Sequence, residues 1–267
     1  MMKKALFIGI NYLDSTEERL NGCINDVTHM YELLNQHYGY APENMVVLTD
    51  DQSEENRRPT RDNILRELQL LATHSDTYQE IWIHYSGHGS WVNNYDTGIL
   101  VPVDFKTAGF IVDVELYNII QQIKCKAMIM IDSCDSAAVC DLEWNFEYLY
   151  GNKFMRVQLA NQSLLDEFSP SLRSLSNPHI VMISASKKNQ NSAEIIDTDA
   201  ITSKPMYEGA FTDAVLHVLK NNSYQITLGK MVQDVCIWLV QHGIDQQKPI
   251  VSCSTSEPSW SISPLAH

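Results

Sequence analysis

The chain has 267 residues, of which 44% are hydrophobic and 19% are charged, as is ordinary for a globular protein. Its net charge of −14 argues against a general nucleic-acid binder, because no basic stripe accompanies it. No apolar run approaches the ~20 residues of a transmembrane helix. The length fits one large α/β domain or two small ones.

The amino-terminal segment contains two lysines and a short apolar run, but no small-residue cleavage site follows. It predicts a first strand rather than a signal peptide. Six cysteines are scattered without a CxxC pair. We therefore expect a cytoplasmic protein with free thiols, and no pro-domain, because the predicted fold begins within the first ten residues.

Strand and helix patterns alternate along almost the whole chain. Six apolar runs predict strands, namely residues 4–10, 44–49, 80–85, 127–131, 179–184 and 249–254. Periodic segments between them predict helices, the first capped by Asn25 or Asp26 and the second by Thr60. Residues 140–176 have no clear period and predict a mobile loop. The pattern indicates a single α/β domain over residues 1–267, with a mostly parallel six-stranded sheet and helices on both faces.

The segment Lys126–Ala137 contains the most informative strand. Five apolar residues end abruptly at Asp132, Ser133 and Cys134. Such a run is typical of a strand buried on both faces, whose carboxyl end is where open α/β sheets place catalytic groups. Cys134 is therefore a candidate nucleophile.

His88 stands at the end of the preceding predicted strand, in Ser86-Gly87-His88-Gly89. If the two strands are neighbours, its imidazole can take the proton of Cys134, and the N–H groups of Gly89 and Cys134 can bind an oxyanion. On the residues alone, a small buried cysteine and a structural histidine explain the pattern equally well. We interpret His84 as a hydrogen-bonded structural residue, and Cys125, Cys236 and Cys253 as structural.

Taken with other segments in the same order, these motifs resemble the metacaspases and the bacterial orthocaspases, which are caspase-like cysteine peptidases. The matching segments are KALFIGINY, LNGCINDV, LTDD, PTRDNI, HYSGHG, ILVPVDF, IDSC, ISASKKNQNSAE, GAFT and QKPIVSCS. The resemblance covers nearly the whole chain. It implies a caspase-like three-layer sandwich with a large-subunit-like part (1–140), a processing-loop-like segment (141–176) and a small-subunit-like part (177–267).

The resemblance also implies roles for individual residues. Cys134 corresponds to the nucleophile and His88 to the general base of an endopeptidase that cuts protein or peptide substrates after Arg or Lys. The acidic pocket for that basic side chain falls on Cys23, Asp26, Ser86 and Asp132. Two carboxylates there would attract a guanidinium and repel an acidic side chain. Neither a nucleic acid nor a membrane is an expected partner.

The family's calcium site corresponds to Asp96, Asp113 and Asp141, although Val114 stands where another aspartate is usual. These carboxylates fit either Ca²⁺ binding or solvated loop acids, with Asp113 as a helix cap. Self-cleavage, if it activates the chain, has candidate sites at Lys153, Arg156 and Arg173.

One departure from the family pattern supports a different function. Asp135, Ser136 and Ala137 follow the cysteine, where the family usually has a histidine and then Ser-Gly. A carboxylate beside the thiol raises its pKa. The alternative function is therefore a catalytically weak or inactive caspase-like binding module. A nucleotide-binding domain is disfavoured, because no Gly-rich phosphate loop follows any strand.

Overall fold

The computed structural model describes residues 2–92, 97–134, 139, 142–149, 153–157, 175–186, 192–198, 205–256 and 261–262. Its strands are β1 (Met2–Gly9), β2 (Met45–Thr49), β3 (Tyr78–Ser86), β4 (Gly89–Val92), β5 (Thr97–Leu100), β6 (Ile111–Val112), β7 (Lys126–Asp132), β8 (Trp144–Leu149), β9 (Lys153–Val157), β10 (Ile180–Ser184), β11 (Glu194–Thr198), β12 (Pro205–Gly209), β13 (Ile226–Thr227), β14 (Ile250–Cys253) and β15 (Ser261–Ile262). Its helices are α1 (Cys23–Tyr38), α2 (Arg61–Thr73), α3 (Phe105–Ala108), α4 (Asp113–Ile120), α5 (Ala210–Asn221) and α6 (Leu228–Gln241).

The central sheet has the order β2-β1-β3-β7-β10-β14-β8-β9. The first five of these strands pair in parallel, and the remaining pairs are antiparallel. All six predicted strands are present, so the mostly parallel α/β architecture is confirmed. The predicted number of strands is wrong, because among the described residues β8 and β9 extend the sheet to eight strands.

Alternating side chains of the central strands enter two separate apolar layers. On β1, Phe7 packs on the face covered by α1, α5 and α6, whereas Leu6 and Ile8 pack on the face covered by α2 and α4. Since successive strand residues point to opposite faces, a strand apolar at every position is buried on both sides. This explains the uninterrupted apolar runs of β1 and β7.

Helix ends follow the expected chemistry at two points and differ at a third. Thr60 accepts a hydrogen bond from the N–H of Asn63 and caps α2, and Gly39 ends α1 at a φ of 70°. However, α1 begins at Cys23 with Gly22 as its N-cap. The prediction that Asn25 or Asp26 caps this helix is therefore wrong, and Asp26 instead points from the first turn into the protein.

Part of the predicted loop at 140–176 is also different in the structure. The segments 144–149 and 153–157 form the β8–β9 hairpin, and β8 pairs with β14. Through this pairing, β8 forms backbone hydrogen bonds with one edge of β14. The prediction of a loop is wrong for these two segments.

His84 lies in the middle of β3 and is fully buried. Burial lowers the pKa of its imidazole to about 3, so the ring is neutral. Among the described residues neither ring nitrogen has a hydrogen-bond partner. Its place inside the third strand is confirmed, but the expected hydrogen bond is not present within the described part of the chain. The described part of the chain contains no helix long and apolar enough to cross a membrane.

Candidate active site

The carboxyl ends of β1, β3 and β7 meet at one edge of the sheet. Ser86 is the register partner of Gly9 on one side and of Asp132 on the other. The N–H of Gly87 donates to the carbonyl of Asp132 over 3.2 Å. The segment carrying His88 therefore leaves the sheet beside the segment carrying Cys134, as predicted.

Gly89 brings these two segments into direct contact. A Cβ atom at this position would lie 2.6 Å from the carbonyl oxygen of Cys134 and 2.5 Å from Oγ of Ser133. Since real Cβ atoms essentially never come that close, glycine is required here. The histidine turn is thus packed on the peptide of Cys134. The oxyanion-binding role of Gly89 stays a prediction.

The ring of His88 is fixed by a backbone carbonyl. Its Nε2 lies 2.7 Å from the carbonyl oxygen of Glu18, which can only accept a hydrogen bond. Nε2 therefore carries a proton, and in the neutral ring the lone pair that a general base needs is on Nδ1. This arrangement sets the tautomer of the histidine without a carboxylate partner.

Two buried tyrosines hold the backbone of His88, and sequence reasoning missed both. The N–H of His88 donates to Oη of Tyr12 over 2.9 Å, and Oη of Tyr85 donates to the carbonyl of His88 over 2.7 Å. Tyr12 Oη in turn donates to the carbonyl of Val101 over 2.7 Å. Burial, as the largest cause, raises the pKa of both phenols, so both stay protonated. The available signal was a tyrosine close to the carboxyl end of each of two buried strands, Tyr12 shortly after β1 and Tyr85 within β3.

Cys134 is partly exposed, as a nucleophile must be. The backbone N–H of Ser192 points at it and lies 3.3 Å from Sγ. Such a donor stabilises a thiolate more than a thiol. Cys23 and Cys253, by contrast, are buried, and burial raises the pKa of both thiols, that of Cys253 to about 12.

The two carboxylates predicted to bind a basic side chain face each other beside this cysteine. Asp26 is 1% exposed and Asp132 is 4% exposed. A Cβ atom on Gly209 would lie 2.3 Å from Oδ2 of Asp132 and 2.8 Å from Oδ2 of Asp26. Gly209 therefore borders both carboxylates and leaves room that any other residue would fill.

Each carboxylate is held by a hydroxyl and a backbone N–H. Asp26 accepts from Oγ of Ser86 over 2.5 Å and from N of Gly209 over 2.8 Å. Asp132 accepts from N and Oγ1 of Thr212 over 3.1 and 2.8 Å, and from Oγ of Ser192 over 2.5 Å. Burial raises the pKa of both acids, and the nearby charge of Asp132 raises that of Asp26 further. The site therefore disfavours two uncompensated negative charges.

Cys23 completes the predicted group of four. It is 5% exposed at the start of α1. Burial, and then the charge of Asp26, raise the pKa of its thiol, while a hydrogen bond with Ser86 opposes this shift. The structure thus brings together Cys23, Asp26, Ser86 and Asp132 as expected.

The β11–β12 hairpin lies over the beginning of α1 and was not predicted as a hairpin. The carboxylate of Glu194 accepts from the N–H groups of Asn21 and Gly22 over 2.8 and 2.7 Å. Nδ2 of Asn25 donates to the carbonyl of Tyr207 over 2.8 Å. Glu208 forms an ion pair with His29, which raises the pKa of that histidine. The hairpin thereby forms one wall beside the acidic pair.

Comparison with known proteins identifies the family. A model of the metacaspase peptidase C14 domain matches residues 3–143, which is more than half of the chain. The chain belongs to the metacaspase family. Metacaspase-1 of Eremothecium gossypii is 32% identical over 94% of this chain, and metacaspase-1 of Saccharomyces cerevisiae is 30% identical over the same share. The chain spans 64% and 66% of those two proteins, less than two thirds of either.

Solved structures confirm the caspase-like fold of this metacaspase chain. Caspase-1 from Spodoptera frugiperda superimposes with a TM-score of 0.56 at 14% identity, covering 96% of this chain and 87% of the caspase. A protein of Geobacter sulfurreducens has a TM-score of 0.61 at 18% identity, covering 100% of this chain and 95% of its own. Both likenesses concern the fold alone.

The predicted calcium ligands are only partly within the described metacaspase structure. Asp113 is the first residue of α4, with Val112 as the N-cap, so it is not the helix cap of the alternative reading. Asp96 and Asp141 lie outside the described residues. Those described contain no cluster of three or more potential metal ligands. Calcium binding therefore stays a prediction.

Some of the candidate self-cleavage residues lie within the described residues and one lies outside them. The backbones of Lys153 and Arg156 lie on β9, which pairs with β8. Arg173 lies outside the described residues. Cleavage after Lys153 or Arg156 would require β9 to leave its partner, because a peptidase needs an accessible extended segment.

Proposed function

We propose that this chain is a cysteine endopeptidase that cleaves peptide bonds after Arg or Lys. One observation carries the proposal. A histidine turn, a partly exposed cysteine and a buried pair of carboxylates meet at the carboxyl edge of β3 and β7. The family membership supports peptide-bond hydrolysis, and the carboxylates support a cationic side chain before the cut.

The chemistry begins with the thiol of Cys134. Nδ1 of His88 takes its proton, and Sγ attacks the carbonyl carbon of the scissile bond. The negative charge on the carbonyl oxygen is stabilised by N–H groups, for which Gly89 and Cys134 are the candidates. His88 then gives its proton to the leaving amine, and water hydrolyses the remaining thioester.

The selectivity follows from the electrostatics of Asp26 and Asp132. Burial is the largest cause of their raised pKa values, and the charge of Asp132 raises the pKa of Asp26 further. A guanidinium or ammonium between them removes that repulsion and gains charge-assisted hydrogen bonds. An aspartate side chain in the same place would increase the repulsion, so substrates cut after Asp are disfavoured.

A comparison of reporter peptides ending in Arg, Lys or Asp tests this function, with and without calcium. We expect hydrolysis of the Arg and Lys reporters, which Cys134→Ala abolishes and Cys236→Ala, a change at another half-buried cysteine, does not. Asp26→Asn should lower kcat/KM for the Arg reporter about tenfold to a hundredfold, as for a lost interaction with a charged group. Preference for the Asp reporter would contradict the proposal.

The alternative function, a weak or inactive binding module, makes a different prediction in a labelling experiment. Iodoacetamide at neutral pH should label Cys134 much faster than the buried Cys253 if Cys134 is an activated nucleophile. Equal labelling of both cysteines, with no hydrolysis of any reporter, would favour the module. Stimulation by calcium that Asp113→Asn removes would support the predicted metal site.

A further inference from the structure

Ser192 contacts both halves of the candidate site. Its backbone N–H lies 3.3 Å from Sγ of Cys134, and its hydroxyl donates to Oδ1 of Asp132 over 2.5 Å. Ser192 thus contacts the nucleophile through its backbone N–H and the pocket for the basic side chain through its hydroxyl. We call these two groups the N–H arm and the hydroxyl arm. This segment directly precedes β11.

Gln247 determines the direction of these hydrogen bonds. The N–H of Ala193 can only donate, and it lies 2.9 Å from Oε1 of Gln247. Nε2 of Gln247 therefore faces Oγ of Ser192, 3.1 Å away, and donates to it. The hydroxyl proton of Ser192 is then left for Asp132. Gln247 is 4% exposed and belongs to the segment before β14.

Hydrogen bonds from three groups hold the carboxylate of Asp132 at both of its oxygens. Oδ1 of Asp132 accepts from Ser192, and Oδ2 accepts from the N–H and the hydroxyl of Thr212. Asp132 thus accepts hydrogen bonds at both oxygens. Asp26 likewise accepts at both oxygens, at Oδ2 from the hydroxyl of Ser86 and at Oδ1 from the N–H of Gly209.

We propose that Ser192, held by Gln247, is a positioning residue that links Asp132 of the substrate pocket to the thiol of Cys134. This inference rests on the proposed function and deepens it, because one residue, Ser192, then positions both the nucleophile and the pocket for the basic side chain. Loss of the hydroxyl arm weakens the hold on Asp132. Loss of the Gln247 side chain weakens both contacts, because Ala193 and Ser192 then lose the hydrogen bonds that tie them to the segment before β14.

Kinetics separate the two arms. Ser192→Ala keeps the backbone N–H but removes the hydroxyl, so KM for the Arg reporter should rise about tenfold, with a smaller change in kcat. Ser192→Thr keeps a hydroxyl and should restore much of the wild-type KM. A Ser192→Ala variant that lowers kcat alone, at unchanged KM, would overturn the role of the hydroxyl arm.

The pH dependence of thiol alkylation gives a readout that needs no substrate. The rate at Cys134, followed by mass spectrometry of its peptide, should have its midpoint at higher pH in Gln247→Ala than in the wild-type protein, because the thiolate loses a fixed donor. Gln246→Ala is the matched control, since Gln246 is the adjacent exposed glutamine.

The described titratable or charged groups around these arms are His88 after β3, Cys23 and Asp26 on α1, Asp132 on β7, Glu194 on β11, Glu208 on β12 and Lys248 beside Gln247.

The outcomes distinguish this inference from the proposed function. A wild-type protein that hydrolyses no Arg reporter counts against the proposed function, whereas the alkylation profile still tests the linkage. Identical midpoints in the wild-type and Gln247→Ala proteins overturn it. Should Gln247→Ala fail to fold, shown by its thermal unfolding, Ser192→Ala decides alone. That variant leaves the Ala193–Gln247 hydrogen bond and the N–H contact to Sγ intact, so its midpoint should match the wild-type protein, and an unchanged KM for the Arg reporter overturns the linkage.

Discussion

Tyr12 joins two segments that the chemistry requires to stay together. Its hydroxyl accepts from the N–H of His88 and donates to the carbonyl of Val101. Tyr12→Phe leaves both buried groups without this partner, so unfolding should become easier by about 1–3 kcal/mol, and kcat for the Arg reporter should fall. Urea denaturation and steady-state kinetics measure the two effects.

The matched control for Tyr12 is Tyr31→Phe. The ring of Tyr31 packs edge-on against Phe7, with centroids 5.7 Å apart, and lies on α1 away from the histidine turn. We expect its kcat to equal that of the wild-type protein. An unchanged kcat in Tyr12→Phe would show that the hydroxyl does not position His88.

His84 makes the fold sensitive to acid. Its folded pKa of about 3 lies below the ordinary value of 6.5, so the unfolded chain binds a proton that the folded chain does not. The contribution of this residue to stability is full above about pH 6.5 and is lost as the pH falls toward 3. By pH 5 the loss amounts to about 2 kcal/mol.

Replacing this imidazole should therefore flatten the acid side of the stability profile. His84→Leu should lose about 2 kcal/mol less than the wild-type protein between pH 7 and pH 5, measured by urea denaturation at each pH. His74→Leu, at an exposed position, is the control and should behave like the wild-type protein. Parallel profiles for His84→Leu and wild type would contradict a buried neutral imidazole.

Among the site residues, those at strand ends could be predicted from the sequence, and those in irregular segments could not. His88, Cys134 and Asp132 follow buried strands, so the edge of the sheet could be predicted to collect them. Ser192 and Gln247 stand in short irregular segments, where no periodicity indicates which way a side chain points. Their roles depend on tertiary contacts that only the three-dimensional structure supplies.

The β11–β12 hairpin is the element that supports the start of α1. The carboxylate of Glu194 lies at the N-terminal end of this helix, where free N–H groups and the helix dipole favour negative charge. Glu194→Ala should weaken this contact by about 1 kcal/mol. Amide hydrogen exchange of residues 205–209 should accelerate, and KM for the Arg reporter should rise.

Glu32→Ala provides the control for this element, because Glu32 is an exposed acid on the same helix. Its exchange pattern should match that of the wild-type protein. If the amides of residues 205–209 exchange equally fast in the wild-type, Glu194→Ala and Glu32→Ala proteins, Glu194 does not hold the hairpin.

Elements with strong patterns could be predicted, and short hairpins could not. The β1 and β7 strands are buried on both faces, so their apolar runs were unambiguous. The β8–β9 hairpin lies at the edge of the sheet, and its sequence mixes apolar and polar residues without clear alternation. Its place is set by pairing with β14, a contact between segments far apart in the chain.

At the scale of the whole molecule, strand pairing in the central sheet predicts that the two fragments of a cleaved chain stay associated. Strand β10, from the carboxy-terminal part, pairs along its length with β7, and β14 pairs with β10. Cleavage after Arg173 should therefore yield two fragments that separate on a denaturing gel but elute together in gel filtration. Cys134→Ala should remain uncleaved. Separate elution of the fragments would contradict a shared sheet.

The position of β7 within the sheet has a consequence for any attempt to produce the amino-terminal half alone. With β10 absent, the seven-residue strand that ends at the candidate nucleophile would become the border of the sheet. Its unpaired backbone groups, together with the buried Met128 and Met130, would then meet solvent and invite other chains to pair. Such a fragment should precipitate or form fibrils rather than act as a smaller enzyme.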